Sequence, residues 1–204
     1  MNQMNENMEK MKRQLSLRDI QHILKLSIPL VLIIVISITC KNDHQEKIEK
    51  EFFTNPILDE GPDPYVYLHS DGYYYVMVTQ QNLLKLWKSR SFTDLEKAES
   101  KEIWYKPDSG SNSCCIWAPE IHYFDDTWYI YYSATDASRP HDLYRYVHVL
   151  KNTNQDPFEG SWEDLGKVNT KYPGIDGHVF EYKGVRYFAY SPYIGNQSGI
   201  ILSK

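Results

Sequence analysis

The 204-residue sequence has only three cysteines, Cys40, Cys114 and Cys115, and no Cys-x-x-Cys pair. That excludes a disulfide-stapled scaffold and the common zinc spacings, so the fold must rest on an apolar core. Cys114 and Cys115 are neighbours, and a trans peptide holds adjacent Cα atoms about 3.8 Å apart, below the roughly 4.4 Å minimum of an ordinary disulfide. Both are therefore expected as free, packed thiols. The second half lacks any basic run, and the formal net charge is −5, which excludes an electrostatic footprint for nucleic acid. No apolar stretch reaches the ~20 residues of a membrane-spanning helix.

What the chain has in excess is tyrosine, 17 residues against 7 Phe and 5 Trp. Tyr carries an apolar face and a polar tip, which suits half-wet strands and sugar-stacking surfaces alike. With 42% hydrophobic residues, there is enough apolar material for one core of ordinary domain size.

The first 40 residues read as a leader. A polar, net basic segment (Lys10, Lys12, Arg13, Arg18 and Lys25 against Glu6, Glu9 and Asp19) runs into an apolar stretch of 13 residues, Ile28 to Cys40. This is the length of a signal-peptide core. The run ends in Ser37-Ile38-Thr39-Cys40, which resembles the lipobox of bacterial lipoproteins and makes Cys40 the candidate lipidation site. A start at Met11 would shorten the leader and remove both early glutamates. Residues 41–51 form a charged tether with little to bury. The expected location is outside the cytoplasm, as a membrane-anchored lipoprotein at the periplasm or cell surface, with plain secretion as the alternative.

Residues 52–204 carry a repeat of strand, turn and aromatic strand. Its clearest copy places strands at Glu120 to Phe124 and Trp128 to Tyr132 around the turn Asp125-Asp126. The other copies turn at Gly72 and Gly184, giving steps of 54 and 58 residues from turn to turn. Further strands are expected at 84–89 and 144–150. Such a period predicts an all-β chain of β-propeller blades, about three of them. In a propeller the first strand of each blade lines a central channel, so Asp63, Ala118 and Asp176, equivalent in the three copies, should meet near one axis. Two carboxylates facing one cavity repel each other, which marks Asp63 and Asp176 as functional candidates.

These segments resemble glycoside hydrolase family 43, the five-bladed propeller enzymes acting on arabinose- or xylose-containing plant polysaccharides. The resemblance rests on Asn55-Pro-Ile-Leu, Asp63-Pro-Tyr-Val, Gly72-Tyr-Tyr-Tyr, Trp117-Ala-Pro-Glu-Ile-His-Tyr, Trp128-Tyr-Ile-Tyr-Tyr and Ile175-Asp-Gly-His-Val-Phe. It implies an inverting glycosidase, an α-L-arabinofuranosidase above a β-xylosidase, with arabinan or arabinoxylan as partner. Asp63 matches the general base and Asp176 the carboxylate that orients the acid and tunes its pKa. The family's general acid is a Glu from the next blade in a Glu-Gly-Pro or Glu-Ala-Pro context, and no Glu follows Glu181 in these 204 residues.

The chain alone is therefore expected to show little or no hydrolysis. Whether it is a fragment or a true truncation stays open, and a non-catalytic surface carbohydrate-binding remnant is the alternative function. Trp117 and His178 are candidate sugar-subsite walls, and Glu120, in register with Tyr65 and His178, is a candidate substrate contact. The chemistry requires no cofactor. The resemblance implies a structural calcium held by residues outside this sequence, so no metal site is expected among the residues present.

Overall fold

The computed structural model of the chain describes residues 6–8, 10, 52–195 and 199–204. The apolar run and Cys40 lie outside the described residues. Among those described, no helix is long and apolar enough to cross a membrane. Phe52–Lys204 form a unit of their own, and it holds the whole repeat.

Three antiparallel sheets follow one another along the chain. The first has the order β1 (Tyr65–Leu68), β2 (Tyr74–Met77), β3 (Leu83–Ser89), β4 (Glu99–Tyr105). The second runs β5 (Cys114–Phe124), β6 (Thr127–Thr135), β7 (Tyr146–Asn152), β8 (Glu163–Lys167). The third holds β9 (Gly174–Tyr182), β10 (Val185–Pro192) and β11 (Ile201–Ser203), with β10 in the middle. Each sheet is a meander in which neighbours in sequence are neighbours in space, the form of a propeller blade.

The hairpins close where the turn chemistry allows. Asp125 and Asp126 both take positive φ (53° each), and so do Lys183 and Gly184 (52° and 72°). Two left-handed residues make the turn whose twist matches that of the flanking strands. The first hairpin is longer and needs one such residue, Gly72 at φ 81°, whose N–H donates to the His69 carbonyl at 3.0 Å.

The expected first strand of the second blade, Glu120 to Phe124, proves to be only the end of β5, which starts six residues earlier at Cys114. Its pairing with β6 slips between Cys114 and Trp117 and again between Trp117 and Glu120. Each slip is a bulge with one left-handed residue, Cys115 (φ 60°) in the first and Ala118 (φ 42°) in the second. A bulge lets a strand continue through a break in its ladder, and Pro119, which cannot donate to a ladder, falls inside the second. Residues 144 and 145, expected in a strand, instead end a 3₁₀ turn at Asp142–Tyr144, so β7 starts at Tyr146.

The thiol expectation is overturned. Cys114 and Cys115 are disulfide-bonded with their Cα atoms 3.7 Å apart. Successive residues of a regular strand point to opposite faces, but the left-handed Cys115 breaks that alternation and turns both sulfurs to one side.

The main core lies between the first two sheets. Trp128, Tyr75, Met77, Leu84, Leu86, Ile116, Ile121, Ile130 and Tyr132 are all buried there. Trp128 is the centre of an aromatic cluster, with Tyr75, Tyr123 and His69 ring centroids at 4.9, 4.7 and 4.7 Å, and its N–H donates to the Gln155 carbonyl. Val76, Val78, Trp87 and Leu95 fill a smaller cluster on the other face of the first sheet. His148, fully buried, sits between the Ser111 hydroxyl and the Tyr146 carbonyl, each at 3.0 Å. Burial holds its imidazole below the ordinary pKa, in the neutral form that can donate to one partner and accept from the other.

The third sheet approaches the second through glycine. A Cβ on Gly177 would stand 2.6 Å from Val147 Cγ1 and 3.0 Å from the Phe188 ring, so the Asp-Gly-His segment passes β7 closer than any other residue could. Gly177→Ala is therefore expected to lower the unfolding free energy by about 1–3 kcal/mol, the usual cost of overpacking. A denaturant midpoint shift checks this, with an unchanged midpoint as the contrary result.

Candidate active site

Asp63, Ala118 and Asp176 are equivalent in backbone as well as in sequence. All three are left-handed, with φ of 52°, 42° and 56°, a conformation that costs a non-glycine residue roughly 1–2 kcal/mol. Two hydroxyls hold it in place. Thr79 Oγ1 accepts from the Ala118 N–H at 2.7 Å, and Ser133 Oγ accepts from the Asp176 N–H at 3.2 Å. Thr79 and Ser133 are themselves equivalent, each seven residues past its hairpin residue, Gly72 or Asp126. A hydroxyl of one blade's second-strand segment thus anchors the left-handed residue in the first strand of the next blade.

Thr79 does a second job. Its own proton goes to Asp63 Oδ2 at 2.8 Å, so a single hydroxyl fixes the carboxylate of the first blade and the backbone of the second. The Thr79 N–H donates to the Pro62 carbonyl at 2.9 Å, closing the loop around Asp63.

Both carboxyls are open to solvent. Asp176 nonetheless has its pKa raised, first by loss of hydration beside the protein, then by the charges of Asp63 and Glu120. The three carboxyl groups therefore share one electrostatic neighbourhood, and Asp176 holds its proton to higher pH than a free aspartate.

Glu120 is the hub of a hydrogen-bonded chain. Its Oε2 lies 2.7 Å from His178 Nδ1 and 3.2 Å from His122 Nε2. Because an ionised carboxylate only accepts, both imidazoles donate to it. His122 then has only Nδ1 left as acceptor, toward the Tyr65 hydroxyl at 3.4 Å. His178, whose side chain is 45% exposed, has no hydrogen-bond partner at Nε2 among the described residues. Glu120 thus fixes which nitrogen His178 can offer to a ligand. With Oε2 shared between two imidazoles, Glu120 is poorly placed to protonate a leaving group.

Glu120, His122 and His178 also have ligand atoms within 4.8 Å of one another, close enough to hold a metal ion. Two imidazoles and one carboxylate do not suit calcium, which takes six to eight oxygens. The set does not fit the calcium implied by the resemblance.

Trp117 is half-buried at the bulge. The Arg145 guanidinium lies 3.4 Å from the ring centroid, and the indole N–H donates to Gln81 Oε1 at 2.9 Å. Arg145 is almost fully buried, donates to the Cys115 carbonyl at 3.0 Å and contacts Asp142 at 3.4 Å. The Tyr193 hydroxyl has its pKa raised by burial and by Asp142 and Asp176, with Arg145 opposing, which puts the phenol near both Arg145 and Asp176. Thr79, Ser133, Arg145 and Tyr193 went unnoticed in the sequence. The hydroxyls had a visible signal, their constant distance from the hairpin; the other two had none.

Residues 53–204 match the family model described as glycosyl hydrolases family 43. The chain belongs to that family. It is 33% identical over 160 residues to an extracellular exo-α-(1→5)-L-arabinofuranosidase of Streptomyces chartreusis, an alignment covering 74% of this chain and 48% of that protein. It is 31% identical over 144 residues to α-L-arabinofuranosidase B of Pyricularia oryzae, covering 68% of this chain and 29% of that protein. Among solved structures, an α-L-arabinofuranosidase from Lactobacillus brevis superposes with a TM-score of 0.66 at 30% identity, over 74% of this chain and 50% of that one. The family 43 chain spans about half the length, or less, of these relatives, and its three sheets are blades of the family's five-bladed type.

The shared electrostatics of the dyad give a direct test. In Asp63→Asn the Asp176 pKa is expected to fall part-way toward the ordinary aspartate value, since one of its three causes is removed while the loss of hydration and the Glu120 charge stay. Carboxyl carbon NMR titration reads this; an unmoved Asp176 would mean the two groups do not face each other.

Proposed function

We propose that the chain supplies the base side of an inverting, exo-acting α-L-arabinofuranosidase site for arabinan or arabinoxylan. The observation that carries the reading is the pairing of Asp63 and Asp176 at one left-handed blade position, within an electrostatic neighbourhood they share with Glu120.

Asp63, held by Thr79, takes a proton from a water that attacks the anomeric carbon on the face opposite the leaving group. Inverting glycosidases keep base and acid carboxyls about 6.5–9.5 Å apart to admit that water. Asp176, with its raised pKa, orients the acid and tunes its proton affinity. The acid itself is a glutamic acid of the kind family members carry in the following blade. His178 Nε2, fixed by Glu120, meets a sugar hydroxyl, and Trp117 gives an aromatic surface for a ring face.

We also infer export from the cytoplasm. The basic segment and apolar run support it, as does the Streptomyces chartreusis relative, which is named extracellular. Anchoring through a lipid on Cys40 follows from the lipobox-like end of that run.

The protein expressed from its complete gene is expected to release arabinose from arabino-oligosaccharides with inversion, followed by proton NMR of the nascent anomer. Asp63→Ala should slow turnover by about 10²–10⁴-fold, the usual contribution of a positioned base. An unchanged rate refutes Asp63 as base, and binding without turnover in the wild type makes this a carbohydrate-binding protein instead.

A further inference from the structure

The Cys114–Cys115 disulfide has no part in the chemistry above, yet it stands at the edge of the site. It occupies the first bulge of β5, and the second bulge carries Ala118, whose N–H shares Thr79 with Asp63. The Arg145 guanidinium ties the two bulges together, donating to the Cys115 carbonyl at 3.0 Å while lying 3.4 Å from the Trp117 ring centroid. Disulfide, guanidinium and indole thus form one packed unit.

The unit's exposure is uneven. Arg145 is only 2% exposed, so the guanidinium fills the inner face of the indole. Gln81 takes the indole N–H. Trp117, Cys114 and Cys115 all remain partly open to solvent. What they present there is a polarisable, apolar surface on the strand that Thr79 ties to Asp63. A furanose ring offers a matching face of C–H groups with hydroxyls at its rim, and soft sulfur and aromatic surfaces are good partners for such a face.

We propose that the Cys114–Cys115 disulfide and Trp117 form a substrate-binding wall, against which a furanose ring of an arabinose-containing oligosaccharide packs. The inference rests on the carbohydrate reading of the site given above. The bond is what makes the wall: it fixes the left-handed Cys115 and keeps both sulfurs on one side. Reduction by a dithiol moves two electrons and two protons onto the sulfurs, yields two thiols and oxidises the reductant to its disulfide. The freed Cys115 then returns toward extended backbone, and its side chain leaves the wall.

The test is the affinity for arabinotriose, by calorimetry, of oxidised protein, dithiothreitol-reduced protein and the variants C114S/C115S and Trp117→Phe. Thermal unfolding is followed on the same samples. The expected result is binding about three- to tenfold weaker for the reduced protein and the double variant, at melting temperatures that leave both folded during titration. Trp117→Phe should keep most of the affinity. If the double variant fails to fold, the reduced wild type gives the comparison.

Equal affinity of oxidised and reduced protein overturns the proposal, as does a fall in melting temperature with no change in affinity. So does mass spectrometry showing both thiols free in the protein purified without reductant. If the oxidised wild type binds no arabinotriose, the carbohydrate reading fails and the wall fails with it; binding that ignores the disulfide fails the wall alone.

Discussion

The Thr79 hydroxyl is the contact on which the geometry of this site depends. It accepts the Ala118 N–H and donates to Asp63, so it solves two problems with one group. The left-handed residue in the first strand of the second blade, Ala118, leaves its N–H out of the ladder at a bulge, and a buried amide without a partner costs about 1–3 kcal/mol. The carboxylate of Asp63 needs a fixed direction. Ser133 repeats the first half of this device for Asp176. The position is structural first, as Ala118 shows by keeping the same backbone without a carboxyl group. The repeat supplies a left-handed position in each of the three sheets, anchored by a hydroxyl at Ala118 and Asp176, and the proposed chemistry uses it where an aspartate stands there.

Around the dyad the charges are arranged to work against one another. Loss of hydration beside the protein raises the Asp176 pKa, and the charges of Asp63 and Glu120 add to it, so ionising Asp176 is unfavourable to the fold. By linkage, the folded state binds that proton more tightly than the unfolded chain, and the stability this confers is lost as pH rises through the folded pKa. Glu120 is held differently, by His122 and His178, which give it two donors. One carboxyl is held by a hydroxyl, one by imidazoles, and one is left to carry the repulsion, an arrangement expected where protonation matters to function.

Much of this was legible in the sequence because the hairpins repeat. Gly72, Asp126 and Gly184 set the register, and the register placed Asp63, Ala118 and Asp176 at one position and Tyr65, Glu120 and His178 at the next. The structure shows the first three with the same backbone and the second three in one cluster. What the pattern hid were breaks in periodicity. The bulges at Cys115 and Ala118 lengthen β5 beyond its alternating part, and period-two reasoning stops where alternation stops. The disulfide was missed for a related reason: the Cα limit of ordinary disulfides does not apply when a left-handed residue turns neighbouring side chains to one face. Arg145 is a buried cation whose partners, Trp117 and the Cys115 carbonyl, are far from it in sequence, and nothing local announces such a contact.

The central claim, that one hydroxyl couples the Asp63 carboxylate of the first blade to the backbone of the second, is most directly tested by a double-mutant cycle. Thr79→Val and Asp63→Ala are made singly and together, and unfolding free energies are measured by denaturant titration. The claim predicts a coupling of about 1 kcal/mol between the two positions, within the range of residues that share a hydrogen bond. Additivity to within about 0.3–0.5 kcal/mol, the behaviour of independent sites, would contradict it.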